Sequence, residues 1–189
     1  MGKFSLSTTS NVTYIDVVGN YSMKIRTNKL MDKKIIEIGY DFINFNLTIP
    51  PELQGLIDDG FRIEQDCVLF KDFIYFGPGE LDTDFSKTQY EEFLNDIHID
   101  NYLKAVTEET EYLKVGLEFS KRLWGKLQSE FKTNFRIIVS FSETSFAENN
   151  VDIFGDCVVK FYKVRQGSED KFKFENLEEY ETEGVLVIE

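Results

Sequence analysis

The sequence predicts an α+β fold: a mostly antiparallel, strongly twisted β-sheet with one long amphipathic helix, at about 107–132, and one shorter helix, at about 86–96, packed on it. Three patterns lead there. From Tyr112 the apolar residues recur at steps of three and four, as Leu113, Leu117, Trp124, Leu127 and Phe131, with Tyr112, Gly116, Phe119 and Leu123 in a second row, so one wide helical face is buried. Directly afterwards Phe135, Ile137, Val139 and Phe141 alternate with Arg136, Ile138, Ser140 and Ser142, the period of a strand with one strongly apolar face. The third is a hairpin pattern, in which Val12, Tyr14 and Asp16 lead to Gly19-Asn20 and the alternation resumes at Tyr21, Met23, Ile25 and Thr27. Burying one large apolar side chain contributes about 1.5–3 kcal/mol, so the long helix and the strand behind it are expected to form the core.

Taken in order, the hairpin is followed by a strand-like run, with Ile36, Ile38, Tyr40 and Phe42 in one parity and Ile43, Phe45, Leu47 and Ile49 in the other. That change of phase predicts a bulge or two strands joined near Asp41. Pro50-Pro51 ends the run, and Leu53, Leu56 and Ile57 predict a short helix opened by Pro51 and closed by Gly60. Phe61–Ile63 and Cys67–Phe76 read as strands of the sheet interior, with a turn at Lys71-Asp72. Gly77-Pro78-Gly79 then breaks the chain. It divides a β-rich half, 1–79, from a helix-helix-strand half, 80–189, the two forming one compact domain overall.

Ser86 and Gln89 spell a capping box, Phe85 is placed to staple Tyr90, and Tyr90, Phe93, Leu94 and Ile97 take the spacing of a buried helical face. Residues 97–103 connect to the long helix, which Thr107 would cap, Glu108, Glu109 and Glu111 would suit electrostatically, and Asn134 would stop. Residues 144–156 predict a hairpin loop or edge excursion. Cys157, Val159 and Phe161 form a strand antiparallel to Phe135–Phe141, Gln166-Gly167-Ser168 turns the chain, Asn176 caps a short helical turn with Glu179, and Val185–Ile188 is a docked terminal strand.

Charge narrows the function classes. A formal charge of -13 over 189 residues, with no basic cluster beyond Lys33-Lys34 and Lys121-Arg122, argues against nucleic acid. Neither a secretory signal nor an apolar run of about eighteen residues is present, so no membrane association and a cytoplasmic location are expected. Cys67 and Cys157, isolated in apolar runs, read as reduced core thiols and agree with that compartment. Trp124 reads as core, its indole N–H in need of an acceptor.

Few residues carry recognisable chemistry. His98 is the single histidine, and Ile97-His98-Ile99-Asp100 sets it beside a carboxylate able to orient an imidazole, making His98 and Asp100 the catalytic candidates. Asp82-x-Asp84-x-Ser86 opens like a calcium loop but has Lys87 where the glycine belongs and Phe93 where the bidentate acid belongs. No metal or other cofactor is expected. Acidic runs ordinarily lie on solvated faces; Asp82, Asp84, Glu91, Glu92, Glu178 and Glu179 are the candidates for a binding surface. The leading expectation is therefore an acidic soluble binding protein, in the manner of an immunity or antitoxin-like inhibitor, that meets a basic protein through electrostatic complementarity. The alternatives are a small hydrolase-like enzyme built on His98 and Asp100, and a small-ligand carrier whose many aromatics, 18 of them Phe, line a pocket between sheet and helix.

Overall fold

A computed structural model describes residues 12–17, 21–42, 44–73, 75, 79–104, 108–146, 152–153, 155–165 and 174–189. In chain order the strands are β1 (Val12–Val17), β2 (Tyr21–Thr27), β3 (Phe61–Glu64), β4 (Cys67–Phe70), β5 (Ile97–His98), β6 (Phe135–Ser142), β7 (Ser145–Phe146), β8 (Asp152–Ile153), β9 (Asp156–Lys163) and β10 (Gly184–Ile188). The helices are α1 (Lys29–Ile38), α2 (Pro51–Asp59), α3 (Asp84–Leu94) and α4 (Thr110–Glu130). The main sheet runs β1-β2-β10-β6-β9-β5 with every neighbouring pair antiparallel. The α+β fold with a mostly antiparallel sheet is thus as the sequence predicts, and the terminal strand β10 docks between β2 and β6 near the middle.

The parity of β6 decides how the sheet is covered. Phe135, Ile137, Val139 and Phe141 join Leu113, Leu117, Trp124 and Leu127 of α4 in one apolar cluster, so the long helix lies on the sheet as its stripe requires. Ile138 points the other way and meets Tyr162, Val185, Val187 and Leu177, the last carried by the 3-10 turn Phe174–Glu179. Asn176 lies within this turn instead of capping it. Gly116 is where helix and sheet come closest: a Cβ there would sit 2.5 Å from the Cys157 sulfur. Trp124 is buried as expected, but its Nε1 has no acceptor among the described residues.

The ends of α4 differ from the prediction. Thr107 is outside the described residues; Glu109 occupies the N-cap position without capping and its carboxylate accepts from the Thr144 amide at 2.9 Å. The helix stops at Glu130, short of Asn134, because Phe131 turns extended to reach Phe61 and Phe135.

The largest correction falls on residues 29–49. The run read as strands begins with α1: the Asn28 side chain accepts from the Met31 amide, and Gly39, at φ 63°, closes the helix in the left-handed conformation that glycine adopts without strain. Local capping overrides the apparent alternation, which leaves Ile36 80% exposed. Residues 40–42 and 44–49 are irregular and are strapped to α4 by polar contacts. Lys121 Nζ reaches the Phe45 carbonyl at 2.5 Å, Arg122 donates to the Leu47 carbonyl at 2.7 Å, and both cations pair with the buried Glu118.

Other adjustments are smaller. Val17 pairs with Tyr21, so positions 18–20, outside the described residues, separate β1 from β2 where a two-residue turn was expected. α2 starts at Pro51 and ends at Gly60 as predicted. β3 and β4 make a separate two-stranded sheet and not part of the main sheet's interior, because Asn95 fills the gap: its side chain accepts from the Phe70 amide and donates to the carbonyls of Val68 and Phe161. α3 is capped by Thr83, which shares a capping box with Ser86 at the third helical position. Phe85 consequently falls at the second position and is 47% exposed.

Candidate functional site

The pairing of β5 with β9 builds a concentrated group of polar side chains. Ile97 opposes Val159 and His98 opposes Val158. Beyond His98 the chain enters a 3-10 turn, Ile99–Tyr102, which brings Asp100 beside Asp156, and Asp96, just before β5, lies near Lys160. Even-numbered residues 96, 98 and 100 face outward together, while Ile97 and Ile99 turn into the core beneath Gly116. His98 Nδ1 lies 2.8 Å from Asp156 Oδ2 and 3.9 Å from Asp100 Oδ1; its Nε2 lies 3.8 Å from Asp96 Oδ1. Lys160 sits 3.7 Å from Asp96. Burial, and then the carboxyl of Asp100 beside it, hold Asp156 above the usual carboxylate range.

This places the two catalytic candidates, His98 and Asp100, in one group and adds Asp156, which the sequence reading passed over. The strand alternation running back from Cys157 was the available signal. The thiol of the neighbouring Cys157 is not part of the group: its side chain points to the opposite face and is fully buried.

The six acidic candidates separate. Asp82 and Asp84 are exposed at the start of α3 and Glu92 is half-buried further along it. Glu91 turns inward and is fully buried, accepting from the amides of Val68 (2.7 Å) and Lys163 (3.0 Å) and pairing with Arg165 at 2.5 Å. It is an internal clamp, since the helical period sends it to the side of Thr88 and Tyr90. Glu178 and Glu179 are exposed on the 3-10 turn that covers the opposite sheet face.

The outward stripe of α3 is aromatic as well as acidic. Phe85, Gln89, Glu92 and Phe93 follow the spacing of one helical face, and Phe93 is 64% exposed. Tyr75, 48% exposed, meets the Phe93 ring edge to face at 5.7 Å. Between α4 and the sheet, by contrast, the aromatics pack on one another: Phe161 makes edge contacts with both Phe70 and Phe135. Two surface clefts, of about 340 and about 370 Å³, are lined largely by polar residues, Ser22, Lys24, Asn134 and Glu189 in one, Lys33, Lys34 and Glu143 in the other.

These features define an acidic α+β protein in which a helix-covered antiparallel sheet presents one imidazole-carboxylate group and one aromatic, acid-flanked helix face. A family model, the uncharacterized protein PM0498 family, matches residues 26–189, and the chain belongs to that family. No curated protein and no solved structure matches the chain. Among the described residues no helix is long and apolar enough to cross a membrane.

Proposed function

We propose that the protein is an acidic binding protein that docks a basic protein partner, in the manner of an inhibitor or immunity-type protein, through the outward face of α3. The observation that carries this reading is the exposure of Phe93, 64%, together with Phe85 and Tyr75, beside Glu80, Asp82 and Asp84, all of them exposed. Aromatic side chains left in water on a rigid helix are the residue type that dominates binding energy once covered. The acids around them repel one another and other acidic surfaces, and select a cationic partner while raising its association rate. Glu91 and Asn95 fix the inner side of the helix to β4 and β9, so the face is preformed. A partner fitting it presents Lys or Arg around an apolar centre.

Amide chemical-shift mapping during titration with a Lys-rich amphipathic peptide tests this assignment. Perturbations concentrated on 82–93 and Tyr75 are expected. Perturbations spread evenly over all acidic surfaces, or centred on Glu178 and Glu179, would overturn it.

A further inference from the structure

We infer that His98, Asp100 and Asp156 form a divalent-cation site, selective for a first-row transition ion such as Zn²⁺ over Ca²⁺ or Mg²⁺. One ligand atom from each of the three lies within 4.8 Å of the other two. Two ligands held tetrahedrally at 2.0–2.2 Å from a common ion stand about 3.4 Å apart, and the separations from Nδ1, 2.8 Å to Asp156 and 3.9 Å to Asp100, bracket that value.

One ring nitrogen can serve one carboxylate, and it serves Asp156 Oδ2. Among the described residues, Asp100 Oδ1 and Asp156 Oδ1 are both shut off from solvent and neither has a hydrogen-bond partner. Buried carboxylate oxygens left this way are costly; a cation held by His98 Nδ1, Asp100 Oδ1 and Asp156 Oδ2 engages the first directly and offsets the charge of the second carboxylate. The backbone is suited to the task as well: His98 comes from β5, Asp100 from the 3-10 turn Ile99–Tyr102 and Asp156 from β9, while Ile97, Ile99 and Val159 beside them are locked into the core. A single imidazole nitrogen with carboxylate oxygens favours a borderline ion over the all-oxygen shells that Ca²⁺ and Mg²⁺ take. His98 is half exposed, which leaves the outer side of the ion open to water.

Such an ion would also staple the two-residue edge strand β5 to the first residue of β9, so binding has a structural readout that needs no activity. Native mass spectrometry and thermal unfolding with Zn²⁺ alone, then Ca²⁺ alone, test the site. One Zn²⁺ per chain and a rise in Tm that Ca²⁺ does not reproduce are expected. His98→Ala and Asp156→Asn, both at solvent-reachable positions, are each expected to weaken Zn²⁺ by at least about tenfold, since even outer-shell changes have effects of that size. The Lys160→Ala variant removes the cation on the neighbouring Asp96 and should leave Zn²⁺ affinity within a few-fold. Absence of a stoichiometric Zn²⁺, equal response to Ca²⁺, or an affinity that survives both His98→Ala and Asp156→Asn would each overturn the assignment.

Discussion

Glu91 on α3 and Arg165, just past β9, meet at 2.5 Å although 74 positions separate them, and both side chains are almost fully shielded from water. The same carboxylate takes two backbone amides, one from β4 and one from β9, so one side chain joins the small hairpin, the helix and the main sheet. Removing one partner of such a pair strands a charge in a poorly solvated place. Glu91→Ala is therefore predicted to lower unfolding stability by about 3–5 kcal/mol, read as a reduced urea midpoint at unchanged slope. Glu91→Leu combined with Arg165→Met should lose less than Glu91→Ala alone, because no unpaired charge remains.

Gly116 and Cys157 set a second test. A methyl group at position 116 would meet the Cys157 sulfur at 2.5 Å, with Ile99 and Val159 closing the remaining sides at 3.5 and 3.6 Å. Gly116→Ala improves helix propensity yet is predicted to destabilise by about 1–3 kcal/mol through overpacking. Cys157→Ala in the same chain opens the space, so the double variant should recover part of the loss, and a double-mutant cycle should show coupling of at least about 0.5 kcal/mol.

The two thiols should be inert in the folded protein. Both are fully buried; burial pushes the Cys67 thiol up to about 11 and the Cys157 thiol well above its ordinary value. A neutral-pH thiol reagent is expected to label neither in the native state and both after denaturation. The pH dependence has a definite sign. Each folded-state value lies above that of the unfolded chain, about 8.5, so the stability from keeping these thiols protonated is whole below that pH and is lost as pH rises, for Cys67 through about 11. Tyr40, raised by burial first and by Glu118 second, adds to the same alkaline loss. Cys67→Ala should flatten this limb of the stability curve; an unaltered limb would refute the attribution.

What was legible in the sequence is what depends on near neighbours. The stripe through Leu113, Leu117, Trp124 and Leu127 and the alternation through Ile137 and Val139 both express periods that the backbone enforces over a few residues, and both elements formed and packed as those periods require. Residues 36–49 misled because alternate apolar residues also satisfy parts of a helical period. Asn28 and Gly39, the capping residues eleven positions apart, were the deciding signal. The site shows the same limit. His98 and Asp100 stand out locally, whereas Asp156 joins them only through the strand register, and nothing in Glu91-Glu92 tells which of the two carboxylates a distant Arg165 will bury.

Binding of a fluorescent Lys-rich amphipathic peptide across a salt series, compared between the native sequence, Phe93→Ser and the charge-reversed pair Asp82→Lys with Asp84→Lys, tests the docking face most directly. Affinity is expected to fall with salt, with a loss of at least about 2 kcal/mol for Phe93→Ser at every salt concentration and a flattened salt dependence for the reversed pair. Binding that ignores all three substitutions, or no binding at the lowest salt, would contradict the docking assignment.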